Sequence, residues 1–337
     1  MKKIAIIGAG LSGLTCAREL GVEYDVTVFD KSRGVSGRMS TRYAGAFEFD
    51  HGAQYFTARH PDFQSCVLGE IARGHVAPWQ GQELGRNAYL KNGILEADTG
   101  TQRFVAVPRM NSWMKNWADG LNVKLGVRIT ALKRVDGQWS LTGVQDHTSQ
   151  DPNPQKHSYE GYDEIVLAIP APQALALLPD GFAEIDAVQD AHMDACFALM
   201  LGFKRPLSDM GWDTLRVNNS PIAWVAMNSS KPEREGRAAM VVHADGAWSN
   251  ENAEADRDKV RNILLKETLR ITGVEASNII HQDLHRWLYA SVSSAPHQTC
   301  LRDEDKSLTV CGDWCLGGRV ENAYLSGLAA ARAIGQT

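Results

Sequence analysis

The feature that most constrains this fold is a glycine-rich turn at residues 8–13. It reads G-A-G-L-S-G and matches the pattern G-x-G-x-x-G. An apolar run at residues 2–7 predicts a strand before the turn, and apolar spacing over residues 11–20 predicts a helix after it. A second strand is predicted at residues 26–29 and ends at Asp30. This order of strand, turn, helix, strand and acid is typical of a Rossmann-type dinucleotide-binding unit.

Each position of the turn has a physical role in such a unit. Gly8 permits the tight turn, Gly10 lets the backbone approach a pyrophosphate, and Gly13 lets the helix pack on the strand. The free N–H groups at the helix N-terminus attract the anion. The Asp30 carboxylate accepts from a ribose and repels a 2′-phosphate, which favours FAD or NAD over NADP. The predicted contacts here are Gly8, Gly10, Leu11, Ser12, Gly13, Asp30 and Lys31.

Composition excludes several classes of protein. The length of 337 residues suggests about two domains. The net charge of −5 comes without a basic block, so no nucleic-acid partner is expected. No apolar run approaches the roughly 18 residues of a membrane span. The six cysteines are scattered and match no metal or redox motif, as in a reduced cytoplasmic protein. We therefore expect a soluble, cytoplasmic protein without a metal site.

Local patterns give further elements. Residues 31–41 predict a loop in which Arg38 binds phosphate, because small neighbours surround its guanidinium. The other predictions are short strands and turns over 58–100, a helix from its cap Asn111 to Gly120, a strand over 123–129, a hairpin at Asp136-Gly137, a surface loop over 145–161, strands over 196–203, 222–227 and 238–243, and a helix over 253–272.

Three segments together resemble the flavin-containing amine oxidase superfamily, and within it the renalase-like proteins. They read GAGLSGL, SGRMST and FDHGAQYFTAR. The resemblance implies an α/β fold, in which a Rossmann-type FAD-binding domain carries an inserted mixed α+β substrate domain with p-hydroxybenzoate hydroxylase/amine oxidase-like topology. The expected FAD domain comprises residues 1–57, 104–170 and 300–337, and the substrate domain residues 58–103 and 171–299.

The same resemblance implies how FAD is held. Arg38 meets the pyrophosphate, Gln54 and Tyr55 border the isoalloxazine, and the backbone at Val127 touches the adenine. Gly312 and Asp313 end a late strand, where Asp313 accepts from the ribityl hydroxyls. Arg319 and Val320 begin a helix whose positive end faces the flavin pyrimidine and favours its reduction. This C-terminal segment favours FAD over NAD, and we expect the FAD to be bound non-covalently rather than through Cys315.

The chemistry expected is oxidation of the 2- and 6-dihydro isomers of NAD(P)H, as the resemblance to renalase-like proteins implies. Hydride passes to flavin N5 and the electrons go on to O2, giving hydrogen peroxide. No catalytic residue beyond the flavin is expected, because the protein mainly positions the donor. The residues predicted to position this dihydropyridine are Tyr55, Phe56, Thr57, His243, Trp287 and Tyr289.

Two other functions stay open at this point. The first is a flavin amine oxidase or a desaturase-type enzyme of the same fold. The second is a non-enzymatic binding module like the GDP-dissociation inhibitors, against which the intact turn, Arg38 and Asp313 argue. His281 and His285 are four residues apart, but they lack the glutamate of an H-E-x-x-H zinc motif. The expected oligomeric state is a monomer or a weak dimer.

Overall fold

A computed structural model describes residues 1–87, 94–95, 101–145, 155–207 and 210–336. The α-helices of these residues are α1 (Leu11–Leu20), α2 (Pro61–Ala72), α3 (Ser112–Ala118), α4 (Ala171–Leu175), α5 (Ile185–Gln189), α6 (Gly246–Glu251), α7 (Arg257–Thr272) and α8 (Val320–Gly335). The strands are β1 (Lys3–Ile7), β2 (Asp25–Asp30), β3 (Thr41–Ala44), β4 (Phe47–Asp50), β5 (Val76–Trp79), β6 (Glu83–Asn87), β7 (Ile94–Leu95), β8 (Arg103–Ala106), β9 (Asn122–Leu125), β10 (Val127–Val135), β11 (Gln138–Gln145), β12 (Gln155–Tyr162), β13 (Glu164–Leu167), β14 (His192–Phe203), β15 (Thr214–Asn218), β16 (Ile222–Met227), β17 (Ala239–Ala244), β18 (Ile279–Ser294), β19 (Leu301–Asp303) and β20 (Leu308–Val310).

Six of the described strands form the sheet that the N-terminal pattern predicts. Their order is β19-β20-β13-β1-β2-β9. The central strand β1 pairs in parallel with both β2 and β13, so that Ile6 lies opposite Val28 and Val166. The strand is buried on both faces, which explains its unbroken apolar run. Because parallel strands end at one edge, the glycine turn after β1 lies beside the ends of β2 and β13.

Helices α1 and α8 cover one face of this sheet and approach each other closely. A Cβ placed on Gly327 of α8 would lie 2.2 Å from the carbonyl oxygen of Ser12 in α1. A Cβ on Gly13 would lie 1.9 Å from the carbonyl oxygen of Gly8. Both contacts are closer than any side chain allows, so glycine is required for the helices to pack. Gly13 has the packing role that the sequence predicts.

A second sheet holds seven of the described strands, in the order β18-β14-β17-β16-β15-β6-β7. One of its faces packs against α7, whose Asp256 cap accepts from the backbone N–H of Lys259 at 2.8 Å. Leu215, Val225 and Val242 lie on that face and are fully buried. The alternate residues of the same strands point to the other face, as the two-residue period of a strand dictates.

Several sequence predictions were wrong in detail. Residues 58–100 contain the twelve-residue helix α2, which the pattern of Pro and Gly concealed. Asn111 is the N-cap residue of α3 but makes no side-chain capping bond, and its Oδ1 instead accepts from the Tyr43 hydroxyl at 3.3 Å. The strand predicted over 123–129 breaks at Gly126 into β9 and β10, which lie in different sheets. The long helix begins at Arg257, not at residue 253.

The loop predicted over 145–161 was also wrong in part. Residues 155–162 form β12, which pairs with β11, while residues 146–154 lie outside the described residues. The domain division remains a prediction, with one change that packing favours. Phe63 and Val67 of α2 lie in the same core as α1, and we therefore propose to count residues 61–79 with the cofactor domain. No helix in the described part of the chain is long and apolar enough to span a membrane.

Candidate active site

A large cavity, of about 1870 Å³, lies between the carboxyl end of the first sheet and the free face of the second. Small-molecule clefts commonly measure about 300–1,000 Å³, so this one has room for a dinucleotide and a second molecule. The structure brings together almost all residues predicted from the sequence. The predicted residues that line it are Gly8, Gly10, Leu11, Ser12, Asp30, Lys31, Arg38, Gln54, Tyr55, Phe56, Thr57, Val127, His243, Trp287, Tyr289, Gly312, Asp313, Arg319 and Val320, while Gly13 lies behind the wall.

The glycines of the turn differ in what surrounds them. Gly8 has a φ of +113°, and a Cβ there would lie 2.3 Å from the carbonyl oxygen of Ala168. Gly10 lines the cavity, and no atom of the described residues outside its own chain neighbours lies within 4 Å of its Cβ position. No contact within the described part of the chain therefore requires glycine at position 10. Close approach of a ligand to the backbone explains this glycine, and that fits a bound pyrophosphate.

Asp30 holds the turn in place. Its Oδ2 accepts from the backbone N–H of Ala9 at 2.8 Å, and its Oδ1 accepts from that of Ser32 at 2.7 Å. Each carboxylate oxygen can accept a further hydrogen bond. The ribose contact predicted for Asp30 therefore remains compatible with this geometry.

Arg38 and Asp313 contact each other across the cavity wall. Arg38 Nη1 donates to Asp313 Oδ2 at 3.0 Å, and Nη2 donates to Oδ1. Arg38 Nη1 also donates to the carbonyl oxygen of Ala290 at 3.2 Å. The sequence predicted that these two side chains meet different parts of FAD. The ion pair places both on one wall and orients the guanidinium, which is 29% exposed.

Helix α8 begins at the same wall. Its N-cap residue Arg319 makes no side-chain capping bond, so the first N–H groups of the helix remain available to a ligand. The carboxylate of Glu321 in its first turn accepts from the backbone N–H groups of Arg59 and His60, both at 2.6 Å. The helix start is thus fixed against the segment after Thr57. Its positive end suits a ligand edge that becomes anionic.

The side chain of Gln54 is held by a buried charge network that the sequence did not reveal. Lys231 Nζ donates to Gln54 Oε1 and to Asp50 Oδ2, both at 3.2 Å. Arg234 Nη2 donates to the same Asp50 oxygen at 2.9 Å. Burial alone would raise the pKa of Asp50, but the charges of Lys231 and Arg234 outweigh it and hold the pKa well below its usual range. Two cations and one carboxylate therefore leave a net positive charge behind Gln54.

On the opposite wall, cavity residues form a row across the second sheet. Arg216 of β15 lies opposite Trp224 of β16, and Trp224 lies opposite His243 of β17. The row continues through Ala198 of β14 to His285 of β18. Direct partners in a sheet point to the same face, so these side chains form one surface. Of this row the sequence predicted only His243.

His51 contacts the three other aromatic side chains of this part of the wall, which are His243, His285 and Trp287. Its carbonyl oxygen accepts from Trp287 Nε1 at 3.0 Å and pairs with His243 Nε2 at 3.1 Å. Its ring stacks on Trp287, with centroids 5.1 Å apart, and meets His285 edge-on at 4.8 Å. The predicted residues His243 and Trp287 are thus oriented by His51, which had no signal beyond its place in the resembling segment.

The histidines of this wall are neutral at physiological pH. Burial, aided by the charge of Arg42, lowers the pKa of His285 to about 4. Burial with neighbouring His285 and Arg42 lowers the pKa of His51 to about 3, and burial lowers the pKa of His243 to about 4. The geometry agrees, because Arg42 Nη2 lies 3.2 Å from His285 Nδ1 and can only donate.

The remaining predicted residues line the cavity but differ in how deeply their side chains are buried. The Tyr55 ring lies 5.7 Å from that of Trp224, and Thr57 and Tyr289 also line the cavity. Phe56 also lines the cavity, but it is only 3% exposed and packs with Phe63 and Trp113 in the first core, so its role in positioning the substrate stays a prediction. Val127 lines the cavity at the start of β10.

Other ligand types were also considered. Among the described residues, no group of three or more His, Cys, Asp or Glu is arranged to hold a metal ion. Cys315 is fully buried in the second core, and burial raises the pKa of its thiol well above its ordinary value. It does not line the cavity. Gly10, the two helix starts and Arg38 fit a flavin dinucleotide, and Cys315 is not placed to attach one.

Comparison with known proteins agrees with this site. Residues 6–67 match the family model of the NAD(P)-binding Rossmann-like domain. Renalase from Mus musculus is 23% identical over 343 aligned positions, covering 93% of this chain and 92% of that protein. A proposed protoporphyrinogen oxidase from Exiguobacterium sp. 255-15 has a TM-score of 0.74 at 12% identity, covering 99% of both chains. A redesigned triple mutant of putrescine oxidase has a TM-score of 0.72 at 12% identity, covering 100% of this chain and 99% of that one.

The two solved structures are similar in fold alone, and they confirm the predicted Rossmann-type α/β architecture. The family assignment rests on a second family model. It describes the flavin containing amine oxidoreductases and matches residues 88–335, which is more than half of the chain. The predicted renalase-like resemblance and the flavin-dependent oxidoreductase class are confirmed. The chain belongs to the flavin containing amine oxidoreductase family.

Proposed function

We propose that this protein is an FAD-dependent oxidase of isomeric dihydronicotinamide dinucleotides, the 2- and 6-dihydro forms of NAD(P)H. The substrate ring gives up a hydride, with its two electrons, and becomes the aromatic NAD(P)+. O2 takes the two electrons and, with one further proton from solvent, leaves as hydrogen peroxide. When bound, FAD supplies the two-electron acceptor that links these half-reactions.

The observation that carries the proposal is the charge of the cavity. Ten of its described lining residues are Lys or Arg, and three are Asp or Glu. All three acidic side chains already accept hydrogen bonds from the protein. Asp30 accepts from backbone N–H groups, Asp313 pairs with Arg38, and Glu321 accepts from the backbone at Arg59 and His60. Such a cavity attracts phosphate-bearing ligands more than alkylammonium groups, because its cations outnumber its carboxylates and each carboxylate already has a partner in the protein.

The residues on the second sheet support the same chemistry. A dihydropyridine that loses hydride needs no base, since aromaticity is regained without removal of a proton from the ring. His51, His243 and His285 are neutral, and the rings of His51 and Trp287 stack to form a flat aromatic surface. We propose that this surface orients the nicotinamide ring and excludes water from it. Orientation of this kind is a major part of catalysis in two-substrate reactions.

Anaerobic mixing tests the proposal. The purified protein, loaded with FAD, should be bleached within one turnover by 2- or 6-dihydro-NAD, and scarcely by the ordinary 4-dihydro isomer. Re-admitted O2 should restore the yellow colour and yield one hydrogen peroxide per substrate. Fast bleaching by simple amines, with none by the dihydropyridines, would instead establish the amine oxidase function. A colourless protein that gains no flavin on reconstitution would support a non-enzymatic binding module.

We further propose that FAD is held non-covalently, since Cys315 lies away from the cavity. Acid precipitation tests this, because covalently attached flavin would stay with the precipitated protein. A cytoplasmic monomer or weak dimer, acting on a small molecule and O2, remains our expectation for the cell. Sedimentation of the FAD-loaded protein measures the oligomeric state.

A further inference from the structure

Two arginines share one buried carboxylate at the end of the row on the second sheet. Arg103 Nη2 donates to Glu83 Oε2, and Arg216 Nε donates to Glu83 Oε1 at 3.2 Å. The side chains of Glu83 and Arg103 are 4% and 9% exposed, whereas that of Arg216 is 53% exposed and lines the cavity. One negative charge thus accompanies two positive charges, and the cluster keeps an excess positive charge.

Both guanidiniums lie against aromatic rings of the cavity wall. Arg103 is 4.5 Å from the Tyr55 ring and 5.6 Å from the Trp224 ring. Arg216 is 5.4 Å from the Trp224 ring. Contact with an aromatic face holds a guanidinium in one plane and leaves its edge free to donate. The parallel pairing of β6 with β15 places Glu83 opposite Thr214, two residues before Arg216 and on the same face of the sheet.

The donors of this cluster are not all used within it. Arg216 donates to Glu83 through Nε alone. Its Nη1 and Nη2 have no acceptor among the described residues. Arg103 Nη1 is buried and has no partner in the described part of the chain. A buried carboxylate that already binds two arginines cannot neutralise both. The cluster therefore has the charge and the free donors of an anion site.

We propose that Arg216, held by Glu83 and Arg103, binds the pyrophosphate of the substrate dinucleotide. This inference rests on the proposed function, in which a nicotinamide ring lies on the same row. Trp224 and His243 are the next residues of that row, so a ring near His243 places its attached phosphates within reach of Arg216. The planar guanidinium can donate to two phosphate oxygens at once. Such a site would favour a dinucleotide over a free dihydropyridine.

The first test compares substrates with and without phosphate. The FAD-loaded Arg216→Met variant is mixed anaerobically with 6-dihydro-NAD and with the phosphate-free 6-dihydronicotinamide riboside. We expect the Kd for the dinucleotide to rise about 10-fold or more, as for loss of a charged hydrogen bond. The Kd for the riboside and the limiting rate of bleaching should not change. Arg216→Lys should recover part of the affinity, because it keeps the charge but not the two-point geometry.

Arg134→Met is the matched control. Arg134 also lies over an aromatic ring, 5.9 Å from Trp139, but it is exposed and outside the cavity. It should leave both dissociation constants unchanged. If Arg216→Met weakens both substrates equally, Arg216 only supports the wall. If it weakens neither, the phosphate site is elsewhere. Either result overturns the proposal.

The second test separates this site from the catalytic proposal. Binding of ADP-ribose, which carries the pyrophosphate but no nicotinamide, is measured by equilibrium dialysis against FAD-loaded protein. We expect the parent and Arg134→Met to bind it and Arg216→Met to bind it about 10-fold more weakly. ADP-ribose binding that depends on Arg216 would support the anion site even if no dihydropyridine bleached the flavin. Equal binding by parent and Arg216→Met, or none by the parent, would refute it.

Discussion

The guanidinium of Arg38 and the carboxylate of Asp313 are 275 positions apart in the sequence, and they form a two-point ion pair on the cavity wall. The pair joins the loop after β2 to the turn after β20. Asp313 is nearly buried, so its charge depends on Arg38 for compensation. The two residues that the sequence predicted for the pyrophosphate and for the ribityl chain therefore form one structural unit.

Arg38→Met should weaken flavin binding. It removes a cation from the cavity and leaves the Asp313 carboxylate without its partner, so we expect the Kd for FAD to rise on the order of 10-fold to 100-fold. Titration of the flavin-free protein with FAD, followed by fluorescence quenching, measures this. Arg332→Met is the control, because Arg332 pairs with Asp62 on the surface at 3.3 Å. Equal affinities for FAD in both variants would contradict the role of Arg38.

Gly10→Ala should weaken FAD binding without loss of stability, whereas Gly13→Ala should lower the stability of the folded protein. At Gly10 the backbone φ of −80° suits alanine, and in the described part of the chain no atom beyond the neighbouring residues lies within 4 Å of the new Cβ. The flavin-free Gly10→Ala protein should be as stable as the parent, or more stable by about 0.4–1 kcal/mol, yet bind FAD poorly. At Gly13 the new Cβ would lie 1.9 Å from the carbonyl oxygen of Gly8, which should cost about 1–3 kcal/mol.

Thermal unfolding and FAD titration of the two glycine variants distinguish these effects. A Gly10→Ala protein that binds FAD as tightly as the parent would show that no ligand approaches the backbone there. Gly21→Ala, at a positive φ of +58° outside the cavity, reports the cost of backbone strain alone.

Asp50→Asn should lower the stability of the folded protein most at neutral pH. The substitution leaves Lys231 and Arg234 buried without a carboxylate, and loss of one partner of a buried pair costs about 3–5 kcal/mol. In the parent, the folded-state pKa of Asp50 is below its unfolded value of about 3.9. The stabilisation that the Asp50 carboxylate provides is therefore complete above the unfolded pKa. It is lost as the pH falls toward the folded pKa. The stability gap between parent and variant should narrow below about pH 4.

Urea unfolding at a series of pH values measures this gap. Glu254→Gln is the control, because the Glu254 side chain is 89% exposed, and it should give curves parallel to those of the parent. If the stability gap for Asp50→Asn stays constant down to pH 2, Lys231 and Arg234 do not lower the pKa of Asp50 in the folded protein.

The rate of flavin bleaching by a dihydropyridine should be independent of pH from about 5 to 7. The pKa values of His51, His243 and His285 lie at about 3 to 4, so none of these rings changes charge in that range. Above that range the charge behind Gln54 changes, because burial lowers the pKa of Lys231 to about 8. Stopped-flow reduction at saturating substrate measures the rate. A tenfold change with a midpoint near pH 6 would mean that a histidine takes part in proton transfer. His243→Asn should also give a flat profile, at a lower rate if the ring positions the substrate.

The cofactor half of the site was largely predictable from the sequence, because it depends on local patterns. Gly8, Gly10 and Gly13 act within one turn, and the strand and helix around them are contiguous in the sequence. Asp313 and Val320 were predictable only through the resemblance, since nothing local shows that β20 lies two strands from β1. The pairing of β13 with both strands places it there.

The substrate half was largely hidden because it depends on register between distant strands. Arg216, Trp224 and His285 become neighbours only when β15, β16, β17, β14 and β18 align, and alternation along each strand shows a face but not its partner. Lys231 and Asp50 were hidden for another reason. A charged residue is read from sequence as exposed, and only the fold shows that both side chains are fully buried.

The row across the second sheet also bears on how this family can diversify. Most of the predicted cofactor contacts lie at the carboxyl edge of the first sheet. In contrast, Arg216, Trp224, His243 and His285 are single positions on separate strands of the second sheet. Each can be exchanged without altering strand pairing, since register depends on the backbone and on the opposite, α7-facing residues. New substrate preferences can thus arise one residue at a time while the redox machinery is inherited unchanged. The same four positions form a compact target for a saturation library.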